Sequence, residues 1–412
     1  VMLLFFNFNI FADIVPDPAS IGTRVTKTAS GVDQIDIAAP NKNGTSYNSL
    51  KELQVSEQGL ILNNNKNVVI NTQIAGLVVR NRNLDNGIEA NLIITEVTGK
   101  NKTNINGIVE VAGKRADLVM ANRNGIFVNG GGFLNSDRVT LTTGSLEMKD
   151  GDLVAIDVSQ GHIGIGEKGI DALSLTDLEL LGKTIDIAGV IKASRETRVM
   201  VSAGGQTYQY KTKEVKSKGE TYSGIAVDGK AAGSMYAGKI DIISNDKGAG
   251  VNSDAFIVSK DSKLEITTDG KIKVNKVQGK GIDIKGKEYE QKGLAYSDEG
   301  ISINADKIKL DGTGIQAEKQ INLNGTVENN ATIYTKEGLK TKDLTNTGIV
   351  QAINKIEVEG NLTNNGEILT NKNLTAKDTI STKKLIAKEG ISVNKLENSG
   401  IVATDKKLDI KD

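Results

Sequence analysis

Few residues in this chain are equipped for chemistry, and their spacing decides what they can do. The single histidine, His162, sits in Gly161-His162-Ile163-Gly164. An imidazole can act as a general base, but no Ser or Cys nucleophile signature accompanies it, so His162 reads as a surface or turn residue. Gly164-Ile165-Gly166 lacks the third glycine and the following helix of a dinucleotide site. Gly182-Lys183-Thr184 ends like a phosphate-binding loop, yet Asp177 stands where the first glycine of that loop belongs. Arg115 and Asp117 alternate onto one face of a strand and are expected to pair with each other. Asn129-Gly130-Gly131-Gly132-Phe133 does not recur as a calcium nonapeptide, so no calcium array is expected. Asn43-Gly44-Thr45 and Asn101-Lys102-Thr103 match glycosylation acceptors, tripeptides common in any Asn/Thr-rich chain.

Composition narrows the classes further. Across 412 residues, 51 Lys+Arg balance 51 Asp+Glu, so no net field draws nucleic acid or an anionic membrane. The absence of Cys removes disulfides, thiolate zinc sites and thiol nucleophiles, and one His cannot build a multi-histidine centre. Neither a metal nor a cofactor is expected. Carboxylates are plentiful, and a pair of them could hydrolyse glycosides. None forms a cluster that stands out in sequence, and the Tyr residues are scattered, so a carbohydrate-active enzyme ranks third and the chain is expected not to be an enzyme. The 4% aromatic content beside 45 Gly calls for many short strands around a thin aliphatic core.

The first twelve residues stand apart. VMLLFFNFNIFA holds four of the seven Phe and is too short to span a bilayer as a helix. It matches the apolar region of a secretory signal, with Ile10-Phe11-Ala12 before Asp13 as the cleavage site; a buried N-terminal strand is the alternative. The basic leader is missing and residue 1 is Val, so an upstream piece is expected. No other stretch is long and apolar enough to cross a membrane, and no stable insertion is expected.

The elements that would position any site emerge from a repeat in the second half. Leu310–Gly314, Val327–Ala331, Leu344–Gly348, Leu362–Gly366 and Leu396–Gly400 each place an aliphatic residue four before a small one. The small residues are 17, 17, 18 and 34 apart, the last step being twice 17. Between them apolar and polar residues alternate, as in Lys355-Ile356-Glu357-Val358-Glu359, which is the period of a strand. A unit this short cannot bury its own core but can do so stacked on copies of itself. The prediction is an all-β parallel β-helix with Ile, Val and Leu inside and Lys, Glu, Asn and Thr outside. Turn Asn residues should bond to their counterparts one rung away, at a spacing of roughly 4.8 Å. About 18–20 residues per rung would give on the order of 20 rungs and a rod near 100 Å. Lys211–Ser223 is polar and Lys-rich and reads as an exposed loop; all eight Arg lie before residue 200, which also separates two regions. The chain stops at Asp412 without a capping element, so a C-terminal continuation is expected.

Two turns in the first half carry the functional signal. Asn81-Arg82-Asn83-Leu84 and Asn122-Arg123-Asn124-Gly125 each follow an apolar run, and their Asn residues favour Asx turns that fix register. Glu110–Ala116 (EVAGKRA) precedes the second. This block resembles the secretion domain of two-partner-secretion exoproteins, the filamentous haemagglutinin/haemolysin group that includes contact-dependent inhibition toxins. That family carries NPNL and NPNG turns, with EVAGxRA just before the second; Arg82 and Arg123 stand here where the family has proline. Ile93–Gly99, Leu141–Gly144 and Gly161–Gly166 match further pieces, and Gly233–Ile240 and Gly248–Val251 resemble haemagglutinin repeats.

The resemblance implies a right-handed parallel β-helix with small extra-helical β elements near the N-terminus. It implies a signal remnant at 1–12, a secretion domain at 13–210, the exposed loop at 211–223 and a repeat stalk at 224–412. It further implies recognition of Asn81–Leu84 and Asn122–Gly125 by the POTRA domains of an outer-membrane β-barrel translocator. The product would be secreted to the bacterial surface as an adhesin facing a host or neighbouring cell, with no nucleic-acid partner. The alternative is the delivery stalk of a contact-dependent growth inhibition toxin whose toxic part lies beyond this chain.

Overall fold

The computed structural model describes residues 14–411. The expected signal remnant, 1–12, lies outside the described residues. Short strands wind into a parallel β-solenoid of about 15 turns with three faces. The first face starts at Asp33–Asp36 and Leu60–Asn64 and runs through Ile108–Gly113, Gly131–Leu134 and Ile170–Ala172 to Ile401–Ala403. The second runs from Thr45–Val55 through Leu92–Val97, Asp117–Asn122 and Arg138–Thr142 to Lys407–Ile410. The third runs from Thr103–Ile105 through Ile126–Val128 and His162–Ile165 to Lys395–Asn398.

Inward residues from all three faces merge into one aliphatic core that extends along the rod. At the N-terminal end, Ile14–Pro16 and Arg24–Lys27 pair antiparallel with Thr45–Val55 and Asp33–Asp36, so the first rung does not present an open parallel edge.

The 17–18-residue repeat is the rung. Ile315, Ile333, Val350, Ile368, Leu385 and Val402 stack in one ladder, at steps of 18, 17, 18, 17 and 17 residues. The expected Asn ladder is present as well. Asn329 donates to Asn346 at 2.8 Å and Asn346 to Asn364 at 2.9 Å, all three fully buried. One unit is out of register with its sequence pattern. Ile308, not Leu310, stacks on Val327, and Leu310 faces Asn329, a shift of two positions that narrows to one past the turn at 311–313, where Gly314 stacks on Thr332.

Rungs are fewer than length alone predicts, because the early ones carry excursions. Leu60 stacks on Val109, Gly131 on Ile170 and Ile191 on Met235, so 49, 39 and 44 residues pass between stacked neighbours. One excursion is the hairpin Val69–Thr72/Gly76–Val79. The others, Ser145–Lys149/Asp152–Val158 and Gln206–Gln209/Glu214–Ser217, join in a four-stranded antiparallel sheet. That sheet lays Leu153, Ile156, Val158 and Tyr208 over Ile94, Val119, Leu181 and Met200 on the outside of the second face. The segment expected to be an exposed loop thus holds an edge strand, Glu214–Ser217. Only Val215 of it packs on the cluster beneath, which is why its polar sequence hid it.

Candidate functional site

The first turn is built on a bed of asparagines. Leu60–Asn64 ends in Asn63 and Asn64, followed by Asn65, and all three are fully buried. Asn64 donates to the carbonyls of Ala90 and Lys114 at 3.0 and 2.8 Å and accepts from the Ala90 amide at 2.8 Å. The chain leaves this bed, makes the hairpin at 69–79 and returns when the Asn81 amide donates to the Asn65 carbonyl at 2.8 Å. Asn81 is 1% exposed; its side-chain amide donates to the carbonyls of Ile37 and Asn63 at 2.8 and 3.0 Å. Its Oδ1 accepts from the Asn83 amide at 3.0 Å and caps the 3-10 turn Arg82–Leu84. Leu84 is buried and Arg82 points to solvent.

The EVAG segment explains how this turn is held. The Glu110 carboxylate is buried and accepts from the amides of Gln73 and Ile74 at 2.9 Å each, pinning the tip of the hairpin. Gly113 has φ +89°, and a Cβ there would lie 2.6 Å from both Asn64 O and Asn65 Cα. The motif is therefore a clamp on the asparagine bed. Asn63, Asn64 and Asn65 were missed as site residues, although three consecutive Asn after an aliphatic run was a readable signal.

The second turn repeats the geometry. Asn122, 1% exposed, ends Asp117–Asn122 on the second face. Its amide donates to Asn101 O and Thr103 Oγ1, both at 2.9 Å, and its Oδ1 accepts from the Asn124 amide at 2.9 Å. Asn124 reaches back to Gly99 O at 2.9 Å. Gly125 takes φ +121°, and a Cβ there would meet His162 O at 2.9 Å. Arg123 is exposed. In both turns the first Asn is internal structure and the Arg is the outward group. The turns are not brought together: the first lies where the chain passes from first to second face, the second where it passes from second to third.

A family model described as TPS secretion domain matches residues 12–274. The chain belongs to the TPS secretion domain family. It is a two-partner-secretion exoprotein, carried through the outer membrane to the cell surface. The chain is 35% identical over 273 residues to the 16S rRNA endonuclease CdiA of Enterobacter cloacae, covering 66% of this chain and 8% of the relative. It is 34% identical over 252 residues to the tRNA nuclease CdiA-2 of Burkholderia pseudomallei, covering 60% and 8%. The chain thus spans under a tenth of the length of the curated relatives it matches. The crystal structure of filamentous hemagglutinin secretion domain superposes with a TM-score of 0.55 over 97% of each chain, at 22% identity, a likeness of fold.

The other singled-out residues make local contacts. His162 is exposed and shares a 2.8 Å hydrogen bond with Thr184. Lys183, in the phosphate-loop look-alike, pairs with the buried Asp246 at 2.8 Å and with Glu220. Arg115 pairs with Asp137 and not, as expected, with Asp117. Arg115 precedes its strand, so alternation does not govern it, and Asp117 instead accepts from the Arg138 amide at 3.2 Å; burial raises its pKa.

Beneath the four-stranded sheet lies a buried network that no motif announces. Arg138 contacts Glu179 at 3.1–3.2 Å, donates to Tyr208 OH at 3.1 Å and stacks 3.9 Å above the Tyr210 ring. Thr140 and Tyr208 complete the coordination of the fully buried Glu179, each at 2.6 Å. Burial, followed by the charge of Glu179, pushes the Tyr208 phenol above its ordinary range. At the N-terminal cap, a hydrogen bond from Thr98, then the Ala19 amide and Lys51, hold Asp17 down to about 2.

Proposed function

We propose that Arg82 and Arg123, presented on turns locked from within by Asn81 and Asn122, are the features that the translocator's POTRA domains read. The observation that carries this is the division of labour in both turns, a buried Asn and an outward Arg. Residues 13 to about 210 would form the portion engaged first, and 224–412 a stalk that contributes no chemistry of its own and displays adhesive function. Rungs that contact only their neighbours can fold as they emerge, which would draw the chain outward without a nucleotide-driven motor.

A second reading has its own support. The relatives named as CdiA nucleases match the chain over a span that is 8–9% of their length. The same stalk would then deliver a toxic segment to a neighbouring cell.

Secretion from cells that express the cognate barrel tests the turn assignment. Arg82→Glu and Arg123→Glu should each cut export severalfold while the purified protein keeps its melting behaviour, since neither side chain is buried. Unchanged export of the double variant would overturn it.

A further inference from the structure

Asn-Gly is the dipeptide in which the following backbone nitrogen most readily attacks the side-chain amide, because glycine has no Cβ to obstruct it. The chain holds seven such pairs, with Asn at 43, 86, 106, 124, 129, 324 and 365. The fold restrains six of them. Asn43 donates to the Asp152 carboxylate, and the buried Gly44 donates its amide to Asn41 O. Asn124 is tied to Gly99 O and to Asn122, and Gly125 is buried. Asn129 accepts from the Lys168 amide while Gly130 donates to Gly169 O. Asn324 donates to Asn304 at 2.7 Å within the strand Ile321–Asn329, and Asn365 accepts from Thr382 at 2.7 Å. Asn106 is half-buried, and Gly107 is packed so closely under the preceding rung that a Cβ there would lie 2.2 Å from Ser56 O.

Asn86 differs from all six. It leaves the first turn within 85–88, four consecutive exposed residues, and it is the one pair whose Asn and Gly are both exposed. Its side chain makes no hydrogen bond among the described residues. A Cβ on Gly87 would meet nothing within 4 Å, so the approach is open. The Gly87 amide is held by one 3.2 Å bond to Leu84 O, at the fraying end of a single 3-10 turn.

We propose that Asn86 is a site of spontaneous deamidation, with water as the co-reactant. The Gly87 nitrogen loses its proton to base and bonds to Asn86 Cγ. The Cγ–Nδ2 bond breaks, and ammonia leaves carrying the proton. Water then opens the cyclic imide. Opening at the side-chain carbonyl leaves aspartate; opening at the main-chain carbonyl leaves isoaspartate, with the backbone routed through Cβ and Cγ. Nothing is oxidised or reduced. Either product adds a carboxylate next to Asp85, which pairs with Arg80 at 3.7 Å, and close in sequence to the outward Arg82. The longer backbone of isoaspartate falls in an exposed stretch between two fixed points, the buried Leu84 and the Ala90 amide bonded to Asn64. The two Asx turns therefore age differently: the first gains negative charge and the second does not. This inference is independent of what reads the turns.

The test incubates the purified full chain at neutral and at mildly alkaline pH. Peptide mapping by mass spectrometry follows the amide-to-acid mass gain at all seven sites. Methyl transfer from S-adenosylmethionine by an isoaspartyl methyltransferase counts the isoaspartate. Asn86 should convert about tenfold faster than any of the other six, the effect of one hydrogen bond that need not open first. Its rate should rise with pH, because the attacking nitrogen must lose a proton. Asn86→Gln should remove most of the isoaspartate, since the longer side chain closes a less favourable ring. Gly87→Ala should slow the reaction at 86 severalfold. Both variants should melt as the parent does, because neither residue is buried. In urea all seven sites should converge to within about threefold, because the restraints of the fold are gone. Equal rates in the native chain, or a lead taken by Asn43 or Asn124, overturn the proposal. So does a lead for Asn86 that persists in urea, which would assign the preference to local sequence and not to the fold.

Discussion

Asn122→Ala removes the group that closes the second turn. The inner half of that side chain serves Asn101 O and Thr103 Oγ1 at 2.9 Å, and Thr103 is 2% exposed, so water does not replace the lost donor there. The outer half serves the exposed Asn124, whose donors can turn to solvent. Two unreplaced bonds at about 1–1.5 kcal/mol each give a local loss of about 2–3 kcal/mol. Asn122→Asp keeps the acceptor for Asn124 but faces a carboxylate toward the Asn101 carbonyl, so at neutral pH it should cost more than the Ala change. Burial raises the pKa of the new carboxyl in the fold. Its destabilisation is therefore full above that folded pKa and fades as pH falls through it. A solenoid opens locally, so the assay is hydrogen exchange on peptides covering 99–128, where Thr103 donates to Gly125 and Gly125 to Asn122. Those amides should exchange about 30- to 150-fold faster in Asn122→Ala, the equivalent of 2–3 kcal/mol. A change under about threefold would refute the buried-turn account.

Other consequences can be measured in the same protein. Arg138→Ala leaves the Glu179 carboxylate buried without its counter-charge and should cost about 3–5 kcal/mol, read by urea unfolding of the four-stranded sheet through near-ultraviolet tyrosine signals. Replacing Arg138 and Glu179 together by Met should be close to neutral; a double variant as weak as the single would contradict this. Asn346→Val breaks the ladder to both Asn329 and Asn364 and should loosen three rungs by about 2 kcal/mol, visible as faster exchange across 329–370 and not beyond it. Because the folded pKa of Asp17 is depressed from 3.8 to about 2, its stabilising effect is complete above pH 3.8 and is lost as pH falls through 2. Proteolysis of 14–55 should therefore accelerate over that interval, and Asp17→Asn should flatten the response.

What was legible in the sequence was whatever repeats locally. Steps of 17 and 18 residues between Leu344, Leu362 and their neighbours exposed the rung, and the Asn at each turn foretold the ladder through Asn329, Asn346 and Asn364. The two Asx turns were equally local, four residues each. What stayed hidden depends on register between distant segments. Glu214–Ser217 has little apolar content of its own and becomes a strand only because Gln206–Gln209 is already held against Asp152–Val158. Arg138 and Glu179, 41 residues apart in sequence, meet because strands offset by 39 residues are adjacent in space. Tyr236, Tyr296 and Tyr334 look scattered until the ladders align them. Leu310 shows the converse, a pattern match shifted by two positions because the turn beside it takes up the slack.

The proposed recognition has the translocator reading the outward Arg of two internally locked turns. Site-specific photo-crosslinking during export tests it most directly, with the photoreactive residue placed in turn at positions 82, 123 and 355, the last on the stalk. Adducts to the barrel partner's POTRA domains are expected from 82 and 123, and none from 355, while the secretion domain is engaged. Equal labelling from all three positions, or adducts from 355 alone, would contradict it.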